Sequence, residues 1–235
     1  MKRVDSLHWR AAHTPVRRRD LLLAALAGGV LGAAQFGALI RSALAAEPRA
    51  VQGVREVQGE VRVNDRVVGP GDPVRAGDRI ETGAGSRAVI VLGADALLLR
   101  DNTRIETTAE KLVVGALRVL TGKLLAVFGP GRKSIETTTA TIGIRGTGAY
   151  FEAEPERTYF CLCYGTAQLD AGTRSEAIRT RHHESPRYIT RDRQGAIDIE
   201  PASAINHTDY ELIMLEALVG REPPFLRGGA ATPRY

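Results

Sequence analysis

Turn-forming clusters interrupt the chain at intervals of about ten residues from Val51 to about residue 172. They are Asn64-Asp65, Gly69-Pro70-Gly71-Asp72-Pro73, Gly93-Ala94-Asp95, Asp101-Asn102, Thr121-Gly122 and Gly129-Pro130-Gly131. Proline removes a backbone donor and glycine raises the entropy cost of a helix, so few helices survive such punctuation. Between the clusters lie short apolar runs: Val61–Val63, Val67–Val68, Arg87–Leu92, Ala96–Arg100, Leu117–Leu120 and Lys123–Phe128. The expectation is an all-β domain over residues 46–172. Strands joined by tight turns can close as a sandwich, a roll or a solenoid-like stack, and spacing alone does not choose among these.

Several of these segments resemble one family. Gly53 to Val63, Gly77-Asp78, Thr82-Gly83 ahead of Ser86 to Leu92, Gly122-Lys123-Leu124, and above all Ile144-Arg145-Gly146-Thr147 before an apolar strand are similar to the FecR domain. The resemblance spans roughly residues 50 to 170. It implies an all-β periplasmic module, best known from regulators that receive a signal from an outer-membrane receptor and pass it to a cytoplasmic sigma factor. Only about twenty mostly polar residues precede Leu21, too few to bury a core. Direct sigma-factor control is therefore not expected, and an envelope protein or receptor is the expected partner. Arg145-Gly146-Thr147-Gly148 is read as a structural turn, because the apolar strand after it lacks the helix of a phosphate-binding loop. Glu136 to Thr141 reads as an edge or exposed face.

Residues 1–45 read as a leader. A basic stretch ending in Arg17-Arg18-Arg19-Asp20 meets an uncharged run from Leu21 to Ile40, and Ala43-Leu44-Ala45 offers a small-x-small cleavage site. Arg18-Arg19-Asp20-Leu21-Leu22 resembles the twin-arginine export signal of bacteria. The expected location is the periplasm, with membrane attachment only if the leader stays uncut. The whole chain carries 32 basic and 27 acidic residues, a formal net charge of +5. The leader holds seven of the basic and two of the acidic residues, so the remainder has 25 of each. Nucleic-acid binding thereby loses its compositional support.

The C-terminal extension, residues 173–235, carries the chemistry together with the end of the β domain. Cys161 and Cys163 are the only cysteines, and His182, His183 and His207 are the only histidines beyond the leader. On a strand, residues two apart share a face, which puts both sulfurs on one side with Cα atoms about 6 to 7 Å apart. Two thiolates at ~2.3 Å and two imidazoles at ~2.0 Å complete a tetrahedral site for a transition metal, with zinc, copper or iron as candidates. The competing readings are a Cys161–Cys163 disulfide, which requires the strand to buckle, and inert buried thiols. His182-His183 follow the strand-like Ala177 to Thr180, so one of the pair is expected to face the cysteines.

Thr208-Asp209-Tyr210-Glu211 is a capping box for one short helix over about residues 208–219, with Gly220 as its stop. Asp209 either orients an imidazole or complements the helix dipole, and the second use is the expected one. Leu212, Leu215 and Val219 form the packing face, and Phe225 anchors an extended tail. No Ser-His-Asp order, paired carboxylates or nucleotide loop stands out, so an enzyme is not expected. A thiol dyad of Cys161 or Cys163 with a histidine requires a metal-free site. The leading expectation is a binding, scaffolding or signal-receiving envelope module with a Cys/His metal site. The alternative is a metal- or redox-active protein using the same centre.

Overall fold

The computed structural model describes residues 51–226 apart from 111 and 112. The expected leader and the last nine residues lie outside the described residues. Within them the chain is all-β with one short helix near its C-terminal end. The strands are β1 Gly53–Gln58, β2 Val61–Val63, β3 Arg66–Val67, β4 Arg79–Thr82, β5 Arg87–Leu92, β6 Asp95–Leu99 and β7 Arg104–Glu110. They continue as β8 Val113–Val127, β9 Arg132–Glu136, β10 Thr141–Ala153, β11 Arg157–Ala171, β12 Arg174–Thr180, β13 Arg187–Arg191 and β14 Ile197–Pro201. Helix α1 is Asp209–Leu218, and a single 3-10 turn, Pro224–Leu226, replaces the extended tail at Phe225. Among the described residues no helix is long and apolar enough to cross a membrane.

All fourteen strands belong to one hydrogen-bonded sheet with a main path β14-β13-β11-β10-β9-β8-β7-β4-β2-β3. Every pairing is antiparallel except β8 with β9. The three longest strands change partners partway. β8 leaves β7 near Thr121 and then pairs with β6 and β10 through Val127. β10 pairs first with β9 and, from Gly148 onwards, with β8. β11 pairs with β13 at its start and with β12 at its end.

Two expected turns are therefore bulges inside long strands. Thr121-Gly122 does not end a strand, because Gly122 takes φ +88° and the chain bends through it. A Cβ there would meet Thr103 Cα at 2.4 Å, so the bend has room for glycine alone. Arg145 to Gly148 likewise breaks the β10 register without reversing the chain, with Gly146 at φ +58°. Gly148 lies against the Tyr164 ring, where a Cβ would stand 2.5 Å from the ring carbons. The segment 137–140 is a tight connection between β9 and β10, and Thr139, 2% exposed, bonds Thr158 rather than lying on an open face.

Cross-strand rows explain why these strands read as unbroken apolar runs. Phe160, Phe151, Leu124, Leu99 and Ala88 stand opposite one another in successive strands and join the main core cluster. The next row is Cys161, Tyr150, Leu125, Leu98 and Val89, on the opposite face by strand alternation, and it is also buried. Helix α1 packs against β6 and β8. A ten-residue helix is marginal alone, so its stability comes from this packing. Leu212, Ile213, Leu215 and Leu218 are buried, each worth at most about 1.5–3 kcal/mol. Val219, expected on this face, is the half-buried C-cap.

Candidate metal centre

Strand alternation in β11 sends Phe160 and Leu162 into the main core and Cys161 and Cys163 to the other face. Both cysteines are fully buried and free, so no disulfide joins them. Cys163 Sγ points towards the Cys161 carbonyl at 3.8 Å.

The histidines arrive on two connections. The backbone N–H of His183 donates to Cys163 O at 2.9 Å, which holds the β12–β13 connection beside the cysteine strand. His183 takes φ +54°, so the chain turns there instead of continuing as a strand. His207 is brought in by the segment leading to α1. That segment is pinned by Tyr159, whose hydroxyl donates to Ser203 O at 2.9 Å and accepts from Ile205 N–H. It is also pinned by Arg100, which donates to Asn206 O at 2.7 Å and to the Glu211 carboxylate at 2.9 Å. The capping box forms, with Thr208 Oγ1 accepting from Glu211 N–H and the Glu211 carboxylate accepting from Thr208 N–H.

One ligand atom each from Cys161, Cys163, His183 and His207 falls within 4.8 Å of the others. His183 Nδ1 lies 3.5 Å from Cys161 Sγ and 3.1 Å from His207 Nε2. Each imidazole spends its outer nitrogen on a fixed acceptor. His183 Nε2 donates to Asp209 Oδ1 at 3.0 Å, and His207 Nδ1 donates to Ile205 O at 2.6 Å. That fixes both tautomers and turns the inner nitrogens towards the thiols, where they could ligate an ion. Two lone pairs facing each other at 3.1 Å repel unless a cation or a proton stands between them.

The pair of adjacent histidines departs from expectation. His183 faces the thiols, as one of the pair should, but His182 does not point to an opposite face. The positive φ at His183 lets both rings reach Asp209, which is wholly buried and accepts from His182 Nε2 at 2.8 Å. His182, His183 and Asp209 form a second cluster that shares His183 with the first. Asp209 thus orients two imidazoles as well as opening the helix, where the expected use was the dipole alone. Its position beside His207 and inside the capping box was the available signal. Two covers were not foreseen: Tyr150 stacks on His207 at 4.6 Å, and Phe225 stacks on His182 at 4.4 Å.

Electrostatics divides the two thiols. Hydrogen bonding from Cys163, joined by His183 and His207, outweighs burial and holds the Cys161 thiol down to about 3. Burial and the neighbouring Cys161 thiolate push Cys163 well above the ordinary thiol range. Burial opposes charge on His183, yet its bonds to Asp209 and Cys161 lift it to about 9. These directions favour one thiolate, one thiol and a protonated His183 in a metal-free centre.

No family model matches the chain, and no curated protein sequence matches it. Among solved structures, two crystal structures of a "putative anti-sigma factor" from Parabacteroides distasonis are similar, each at 14% identity. Their TM-scores are 0.45 and 0.44, and each match covers 54% of this chain and 60% of the other. The likeness to the FecR domain rests on the motifs quoted above.

Proposed function

We propose that this chain is an exported, non-enzymatic envelope protein of FecR type whose β module binds, scaffolds or receives a signal, and whose C-terminal segment is locked on by one zinc ion. Cys161, Cys163, His183 and His207 would hold the ion, with Asp209 and the Ile205 carbonyl orienting the imidazoles and His182 bracing Asp209. One observation carries the reading: both imidazoles are held from outside so that their inner nitrogens converge on two thiols. Two sulfurs and two nitrogens suit a tetrahedral d10 ion, and bond lengths of ~2.0–2.3 Å place such ligands about 3.3–3.8 Å apart. The four residues are at most 7% exposed. Burial of that degree fits a closed structural site better than an open catalytic or electron-exchanging one. Bound metal would tie the β12–β13 connection and the start of α1 to β11, so binding free energy would become folding free energy.

Metal analysis of the full chain purified from an envelope fraction tests this. Near one equivalent of zinc is expected, lost in Cys161→Ser together with a lower melting temperature. Less than a tenth of an equivalent of any transition metal, with an unchanged melting profile in Cys161→Ser, would refute it. A full equivalent of copper or iron would keep the site and overturn the assignment to zinc.

A further inference from the structure

Register places three arginines in one row on the outer face of the sheet. Arg132 of β9 stands opposite Arg145 of β10, which stands opposite Thr166 of β11, which stands opposite Arg179 of β12. All four residues are exposed, and none of the arginines has an acidic partner among the described residues. Two other exposed arginines of the sheet do: Arg118 pairs with Glu106 and Glu136, and Arg157 with Glu154. Like charges directly opposite on neighbouring strands destabilise a sheet, so Arg132 against Arg145 costs stability that no ion pair among the described residues offsets.

The next row on the same face is small and polar: Ser134, Gly143, Gln168 and Ala177. A cleft of about 770 Å3 is lined by both rows. At Gly143 an added Cβ would meet nothing closer than 3.8 Å, so the trough has free space above its floor. One row further, about 13 Å along the strands from the arginines, stand Asp170 and Glu136, the latter paired with Arg118.

We propose that this trough docks a linear acidic polysaccharide whose carboxylates pair with Arg132, Arg145 and Arg179. The guanidinium-bearing positions are separated by one strand step of about 5 Å and two of about 10 Å, a run that successive and alternate sugars of a carboxylated glycan can follow. Guanidinium forks match carboxylates bidentately. Thr166, Ser134 and Gln168 supply side-chain donors and acceptors for sugar hydroxyls. Over β9, β10 and β11 a peptide could not add as a strand, since their backbone groups already serve the ladder; the one open edge, that of β12, lies at the end of the row rather than across it. A broad anionic surface such as a membrane would bring Asp170 against like charge. The narrow arginine row therefore favours a single chain lying across the strands.

The test uses oligogalacturonate as probe and the full, metal-replete chain, with binding followed calorimetrically at two salt concentrations. Saturable binding that weakens with salt is expected, with about tenfold loss in Arg145→Gln, the equivalent of one charge-assisted hydrogen bond. Loss to background is expected in the triple variant R132Q, R145Q, R179Q. Gly143→Glu fills the trough where space exists, so it should abolish binding while melting and metal content stay at the parent values. Absence of binding by the parent, or unchanged affinity in the triple variant, would overturn the proposal. Equal affinity for neutral dextran, polyglutamate or a single-stranded oligonucleotide would overturn it as well.

Discussion

Asp209→Asn probes how the centre is held. Asp209 is fully buried and accepts from His182 at 2.8 Å and from His183 at 3.0 Å. Asparagine has nearly the same shape but only one acceptor oxygen, and its amide nitrogen would turn a donor towards one imidazole N–H. One ring must then rotate or change tautomer, and His183 is the ring whose inner nitrogen would serve the proposed metal. Loss of such an orienting partner typically lowers metal affinity 10- to 100-fold, about 1.4–2.8 kcal/mol. The lost helix-start charge adds about 0.3–1 kcal/mol to folding alone. Competition for zinc against a chromophoric chelator reads the first quantity, and melting of the metal-free protein reads the second. Affinity within twofold of the parent, alongside a lower metal-free melting temperature, would show that Asp209 serves only the helix and would refute the orienting role.

Metal binding at neutral pH should release about two protons per ion, one from Cys163 and one from His183, because Cys161 enters as a thiolate. Above pH about 9 the count should fall towards one as His183 loses its proton unaided; calorimetry in buffers of different ionisation enthalpy measures it, and release of no protons at pH 7 would contradict the charge assignment. Gly122→Ala should destabilise by roughly 2–5 kcal/mol, combining positive φ with a clash at Thr103, as read by urea unfolding. Asp95→Ala removes the carboxylate 3.0 Å from the buried Lys133 ammonium and should cost about 3–5 kcal/mol; adding Lys133→Met should regain part of it, the rest belonging to the buried Gly129 N–H that Asp95 accepts from at 2.8 Å. A double variant no more stable than the single one would contradict that reading.

Strand periodicity and capping chemistry are local properties, and local features were legible. The runs at Val61–Val63 and Arg87–Leu92 are strands, and Thr208 with Glu211 caps α1 as its residues dictate. Period-two alternation also placed Cys161 and Cys163 on one face. Gly122 and Gly146 were misread because a glycine that bends a strand is the same residue as one that ends it. Only the partner change of β8 or β10, a non-local property, tells the two apart. The positions of His182 and His183 depended on one positive φ, and the role of Asp209 on a loop 26 residues away in sequence. The arginine row exists only through register, since Arg132, Arg145 and Arg179 have no common spacing in the chain.

X-ray absorption at the zinc edge of the loaded protein tests the centre most directly. The account predicts two sulfurs at ~2.3 Å and two nitrogens at ~2.0 Å. It further predicts that one sulfur is lost from the shell in Cys163→Ser and one imidazole in His207→Ala, while His182→Ala leaves all four ligands in place. A shell of nitrogen and oxygen only, or one that loses an imidazole in His182→Ala and keeps both in His207→Ala, would contradict it.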